Sequence, residues 1–169
     1  YAFDKVLELA KQNNVYLKLV GLEKNEYIQN HIDYQGRPIL DNQPNCQQPF
    51  GANECPGNQW FYGNWGNPTK TYWLQQAWWR YQQARWGYST NIHSWELLNE
   101  GDPYNGHHYT LANNYAKYMH QWANPHPVTT STWHSFPKAE FWGNASYQDL
   151  DYADVHQYVV EGTDPTHFT

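Results

Sequence analysis

Phe3, Val6, Leu7 and Ala10 recur at i, i+3, i+4 and i+7, the apolar face of an α-helix over 3–13. Gln12, Asn13 and Asn14 break that pattern, and 15–22 follows as a mostly buried strand, apolar or β-branched apart from Lys18. Asn67-Pro68 places an N-cap ahead of a proline at the first helical position. Leu74, Ala77, Trp78 and Tyr81 form the stripe of the helix that begins there, with Gly87 as its left-handed cap. A second strand spans 92–98 and runs into Asn99-Glu100-Gly101-Asp102-Pro103. A helix over 110–123 carries Leu111, Tyr115, Tyr118 and Met119 on one side. A short strand over 128–133, a loop or broken helix over 135–149 and a fourth strand over 152–160 complete the order.

Helices alternating with strands at this spacing predict an α/β fold with a parallel sheet and right-handed crossovers. Parallel strands are covered on both faces, which suits 15–22 better than 92–98. In the latter, His93, Ser94 and Glu96 each need a partner.

The irregular stretch 23–67 exceeds the ~12–15 residues beyond which loops are usually functional or disordered. Its Trp60, Phe61, Tyr62 and Trp65 argue against disorder and either line a binding surface or form the loop's own small core. Cys46 and Cys55, inside this Pro/Gly-rich loop, point to a local disulfide and an oxidising compartment, with two free thiols as the alternative. Zinc does not fit, because His31 is the loop's only further soft ligand where four are wanted.

Composition narrows the function classes. Ten Lys+Arg against sixteen Asp+Glu give a net charge of -6, and no basic run supplies the footprint of a nucleic-acid binder. No stretch approaches the ~18 apolar residues of a membrane span. Aromatics reach 18% while charged residues are only 15%, so polarity rests on amides, hydroxyls and imidazoles. Such a mixture suits stacking on sugar rings, or simply an aromatic core. The chain opens on Tyr1 rather than Met and reads as an excerpt or a processed chain.

In parallel α/β folds, functional groups gather at the carboxyl ends of strands. Here the second strand ends in Asn99-Glu100, the third in Trp133-His134, and the fourth carries Asp154, His156 and Tyr158 on one face. These groups are suited to acid/base chemistry on a polar, ring-shaped ligand. His107 and His108, beside Asp102, lack metal-binding spacing and read as surface histidines. Three converging imidazoles, His93, His134 and His156, would be needed for a metal-dependent hydrolase.

Trp95-Glu96-Leu97-Leu98-Asn99-Glu100 resembles the fourth-strand signature of the retaining glycoside hydrolases of the (β/α)8 clan A, the cellulases, mannanases and related β-glycanases. Arg80-Tyr81 and Ala84-Arg85-Trp86-Gly87-Tyr88-Ser89 look like the helix and turn that lead into that strand. Asp154-Val155-His156-Gln157-Tyr158 is similar to the sixth-strand segment. The resemblance runs from Val15 to Val160 and leaves the 23–67 loop without a counterpart.

It implies a TIM barrel of which residues 1–169 are the central part, about strands three to six, completed by the remainder of its own chain. It implies Glu100 as general acid/base, which protonates the leaving glycosidic oxygen and then deprotonates water. Asn99 would hydrogen-bond the sugar 2-hydroxyl, His156 and Tyr158 would line the site with Tyr158 near the nucleophile, and Trp133 and Trp65 would serve sugar subsites. The nucleophile, a Glu ending the seventh strand, would lie beyond Thr169; neither Glu140 nor Glu161 occupies that position, and the excerpt alone is expected to be inactive. Glu96 reads as a structural carboxylate paired with an Arg or His. No cofactor or metal is implied; the partner is a β-glycan and the location extracellular. A barrel that binds carbohydrate without cleaving it is the alternative, separated by whether the next strand ends in Glu. Strand alternation places Asn99 opposite Glu100, so the strand end must twist or bulge for both to reach a ligand.

Overall fold

In the computed structural model, which describes residues 2–22, 30–32, 38–40, 70–104, 106–122, 125–133 and 135–156, helix α1 (Ala2–Gln12) leads into strand β1 (Leu17–Val20). Asn14, with φ 53°, turns the chain between them in the left-handed conformation that asparagine tolerates. Helix α2 (Lys70–Trp86), strand β4 (Ile92–Glu96) and helix α3 (Gly106–His120) follow. Strands β5 (Val128–Thr129) and β6 (Ser131–Thr132) form one run interrupted at Thr130. A turn of π-helix (Lys138–Trp142) and a 3-10 turn (Ala145–Tyr147) then precede strand β7 (Asp154–Val155). The 23–67 stretch is not wholly irregular: strands β2 (Asn30–Ile32) and β3 (Pro38–Leu40) pair antiparallel within it. Three residues per strand are too few for an alternating pattern to register in sequence.

The main strands pair in chain order and in parallel. β4 lies between β1 and β5, Gly101 bridges to Thr132, and β6 pairs with β7. Helices and parallel strands therefore alternate as expected, and the described strands do not close into a barrel. Among the described residues no helix is long and apolar enough to cross a membrane.

The burial of the two longest strands reverses the expectation. β4 is fully buried except at His93, whereas β1 exposes Lys18 and Val20. β1 has one paired neighbour among the described strands, while β4 is flanked on both sides. The register shifts by one residue between Leu17/Ile92 and Lys18/Ser94, so His93 is the extra residue of a bulge, and this lifts it to the surface.

The core is built by α3 against the sheet. Leu111, Tyr115 and Met119 are fully buried at i, i+4 and i+8, and Ala112 and Ala116 let the helix approach closely. They join Trp95, Leu97, Leu98, Val128 and Phe141 in one cluster. Helix α3 starts at Gly106, four residues before the expected Thr110, and this brings His108 into its first turn.

Helix α2 packs through a different face from the one its apolar pattern names. Leu74 and Tyr81 are 45% and 50% exposed, while Gln75, Trp79 and Gln82 are buried. The Trp79 ring stands edge-on to Tyr115 and Tyr118, at centroid distances of 5.1 and 5.6 Å, and decides the helix's rotation. With apolar residues on nearly every side of α2, periodicity could not select the face. Gly87 closes α2 without entering the left-handed region. Its requirement is steric, since a Cβ there would lie 2.5 Å from the Gln83 carbonyl oxygen.

Candidate active site

The sheet face opposite the main core carries charge. Lys18 Nζ lies 2.8 Å from Glu96 Oε2, so the partner of this fully buried carboxylate is a lysine rather than the expected Arg or His. Both long cations are possible partners by chemistry alone; the neighbour registered beside Glu96's strand happens to present Lys18. The same ammonium pairs with Asp154 on β7. Partial burial opposes charge on Lys18, but hydrogen bonds to Asp154 and Glu96 and their charges outweigh it and raise its pKa. Ser94 Oγ meets Tyr152 Oη at 2.7 Å and His93 Nδ1 at 3.0 Å, which gives the buried serine and the bulged histidine their partners.

Above this layer, at the carboxyl ends of the strands, stands Glu100. The chain leaves strand geometry there with φ 55°, the left-handed region that a glutamate enters only at about 1–2 kcal/mol. Its amide N–H donates to Ser131 Oγ at 2.8 Å, and the next amide, of Gly101, donates to the Ser131 carbonyl at 3.0 Å. The departure from alternation expected at Asn99-Glu100 is thus one left-handed residue held by a serine.

The Glu100 carboxylate reaches His156, with Oε1 3.2 Å from Nδ1. Both groups are part-buried, their side chains 18% and 30% exposed. The His156 amide donates to the Thr132 carbonyl at 2.9 Å, and the Trp133 amide to the Gly101 carbonyl at 3.3 Å. Glu100, Trp133 and His156 therefore sit at the same end of three successive parallel strands. Asn99 is half-buried beside the end of β1, its amide donating to the Leu22 carbonyl at 3.0 Å. Trp65, Tyr158, His134, Cys46 and Cys55 lie outside the described residues, so the loop subsite, the phenol and the disulfide are not placed.

Four consecutive hydroxyls, from Thr129 to Thr132, are fully buried and each is used. Thr129 Oγ1 donates to the Tyr152 carbonyl at 2.8 Å, Thr130 Oγ1 to the Leu98 carbonyl at 3.2 Å, and Thr132 Oγ1 to the Ser135 carbonyl at 2.9 Å, while Ser131 holds Glu100. No motif marks this run in the sequence; its signal is four hydroxyls in a strand expected to be covered on both faces, each in need of a partner.

His108 is not on the surface. It is completely buried, its Nε2 3.3 Å from Thr130 Oγ1 and its ring edge-on to Phe141. Burial depresses its pKa to about 3, so the imidazole is neutral. It is buried because α3 begins early enough to fold the ring back under the Glu100-Gly101 turn.

At the rim, Tyr104 is 73% exposed and its hydroxyl meets Ser135 Oγ at 2.6 Å, which ties the loop after β4 to the loop after β6. Among the described residues no group of three or more His, Cys, Asp or Glu is arranged to hold a metal ion. Comparison of the chain with models of known protein families, with curated proteins and with solved structures returned no match.

Proposed function

We propose that the chain carries the acid/base half of the active site of a retaining β-glycoside hydrolase, on the central strands of a (β/α)8 barrel. The observation that carries this reading is the meeting of Glu100 and His156 at the carboxyl end of a curled parallel sheet. Glu100 protonates the glycosidic oxygen as the bond to the anomeric carbon breaks, and afterwards takes a proton from the water that releases the sugar. His156 fixes the carboxyl group through Oε1, and Asn99 serves the 2-hydroxyl of the bound sugar. Trp133, at the adjacent strand end, offers an apolar face to a sugar ring.

The mechanism needs a second carboxylate about 5–5.5 Å from the first, as nucleophile. The described carboxylates nearest in the sheet, Glu96 and Asp154, are engaged by Lys18. The reading therefore assigns the nucleophile to the strand after the one that bears His156, outside residues 1–169. The substrate is a polymeric β-glycan, met outside the cell.

In the full-length protein, Glu100→Gln should lower turnover of an unactivated β-glycan by about 100-fold or more. A dinitrophenyl glycoside needs no acid for its first step, and azide, a nucleophile that needs no base, should restore its turnover as the glycosyl azide. Turnover of the polymer at the unaltered rate by this variant would defeat the assignment. Tight binding of β-glycan without cleavage by the unaltered protein would favour the binding-only barrel.

A further inference from the structure

The turn that presents Glu100 is braced from below by a side chain with no evident place in the reaction. His108 lies directly against the Gly101 Cα: a Cβ at position 101 would fall 1.7 Å from the imidazole Cε1 and 2.2 Å from Nδ1. The ring is fully buried, with Phe141 edge-on to it at a centroid distance of 6.0 Å and Thr130 Oγ1 at 3.3 Å. Thr130 Oγ1 uses its hydrogen toward the Leu98 carbonyl, so the imidazole donates from Nε2 to the threonine oxygen. The chain of contacts thus runs from His108 through Thr130 to Leu98, two residues before Glu100, and from the same ring directly to Gly101, one residue after it.

A glutamate holds a left-handed backbone only where its surroundings over-determine it. Here the Ser131 hydroxyl and carbonyl take the amides of Glu100 and Gly101, and His108 blocks the space into which Gly101 would otherwise relax. We propose that His108 is a positioning residue, whose imidazole, wedged under Gly101 and hydrogen-bonded to Thr130, keeps Glu100 in the backbone conformation that aims its carboxylate at His156. The inference rests on the acid/base reading of Glu100 for its kinetic consequence, but not for its structural one. It also explains why position 101 is glycine: the residue is needed for the imidazole's approach rather than for backbone freedom.

The test uses His108→Ala, His108→Gln and Thr130→Val in the full-length protein, with thermal unfolding to establish that each folds. Thr130→Val keeps the ring's packing and removes the His108–Thr130–Leu98 hydrogen-bond link, so it carries the test if His108→Ala does not fold. The probes are a soluble β-1,4-glucan or β-1,4-mannan, whichever the unaltered protein cleaves, and the matching 2,4-dinitrophenyl β-glycoside. A misplaced Glu100 slows the first step only for the substrate that needs protonation, and azide, added with the dinitrophenyl glycoside, removes the second step's need for a base. Polymer kcat should fall about 100-fold in His108→Ala and about tenfold in Thr130→Val, with KM unchanged and dinitrophenyl glycoside turnover in the presence of azide within about twofold. His108→Gln, whose amide can replace the Nε2–H donor, should recover to within about tenfold of the unaltered rate. An equal loss on both substrates, or no loss on either, in a folded variant overturns the proposal.

Amide hydrogen exchange supplies the readout that does not need catalysis. Exchange at Glu100 and Gly101 should quicken at least tenfold in Thr130→Val while exchange at Trp95 stays as it was. If the unaltered protein cleaves neither probe, the glycosidase reading fails. Quickened exchange then still supports the positioning role, and unchanged exchange overturns it.

Discussion

Lys18 and Asp154 form an ion pair although β4 and the β5–β6 run stand between their strands. Three steps of about 4.8 Å would put those strands roughly 14 Å apart in a flat sheet, beyond comfortable reach of the two side chains. The sheet is therefore curled, with this face on the inside. Glu96, from the intervening strand, completes a three-member charge layer beneath Glu100 and His156.

That layer is the first place to test. Removing the ammonium leaves Glu96, which has no exposed surface, as a buried charge without its counter-ion. Lys18→Met should destabilise the protein by about 3 kcal/mol in urea unfolding at pH 7, and adding Glu96→Gln should recover more than half of that loss. Additive losses in the double variant would mean the two groups do not depend on each other.

The fit of His108 against Gly101 makes a prediction about packing alone. Gly101→Ala places a methyl group inside the imidazole and should destabilise by about 3 kcal/mol. In a His108→Ala background the same substitution should cost less than about 1 kcal/mol. Equal penalties in the two backgrounds would show that the ring is not what excludes a side chain there.

His108 also sets a pH dependence. Its folded-state pKa of about 3 lies below the ~6.5 of an unfolded histidine, so between those values the unfolded chain holds a proton that the native protein does not. The resulting stability is present above pH 6.5 and is lost as pH falls. From pH 7 to pH 5 this group alone should remove about 2 kcal/mol, read as the difference between unfolding free energies of the unaltered protein and His108→Gln at each pH. Parallel curves for the two proteins would contradict a buried neutral imidazole.

The rotation of α2 is tested by two tryptophans. Trp79→Ala, which empties a site 1% exposed between Tyr115 and Tyr118, should cost about 3–5 kcal/mol. Trp73→Ala, at 64% exposure, should cost less than about 0.5 kcal/mol. A reversed order would mean that the helix packs through its other side.

The amino-acid pattern by itself determined the alternation of helices with parallel strands, because burying one face of each element imposes a periodicity that local residues must obey. It located α3's apolar side through Leu111, Tyr115 and Met119, and it brought Glu100 and His156 to strand ends, since parallel strands share a direction. Tertiary structure alone decided the rest. The face of α2 was settled by where Trp79 found Tyr115, which no periodicity in a helix apolar on several sides could select. The exposure of β1 and the burial of β4 followed from their number of neighbours, a property of the sheet and not of either segment. Lysine as the counter-ion of Glu96, serine as the clamp on Glu100 and histidine under Gly101 all depend on contacts between residues 78 or 31 positions apart or on a helix start set by packing. Short-range sequence encodes which groups need partners; only the closing of the chain on itself determines which partners they get.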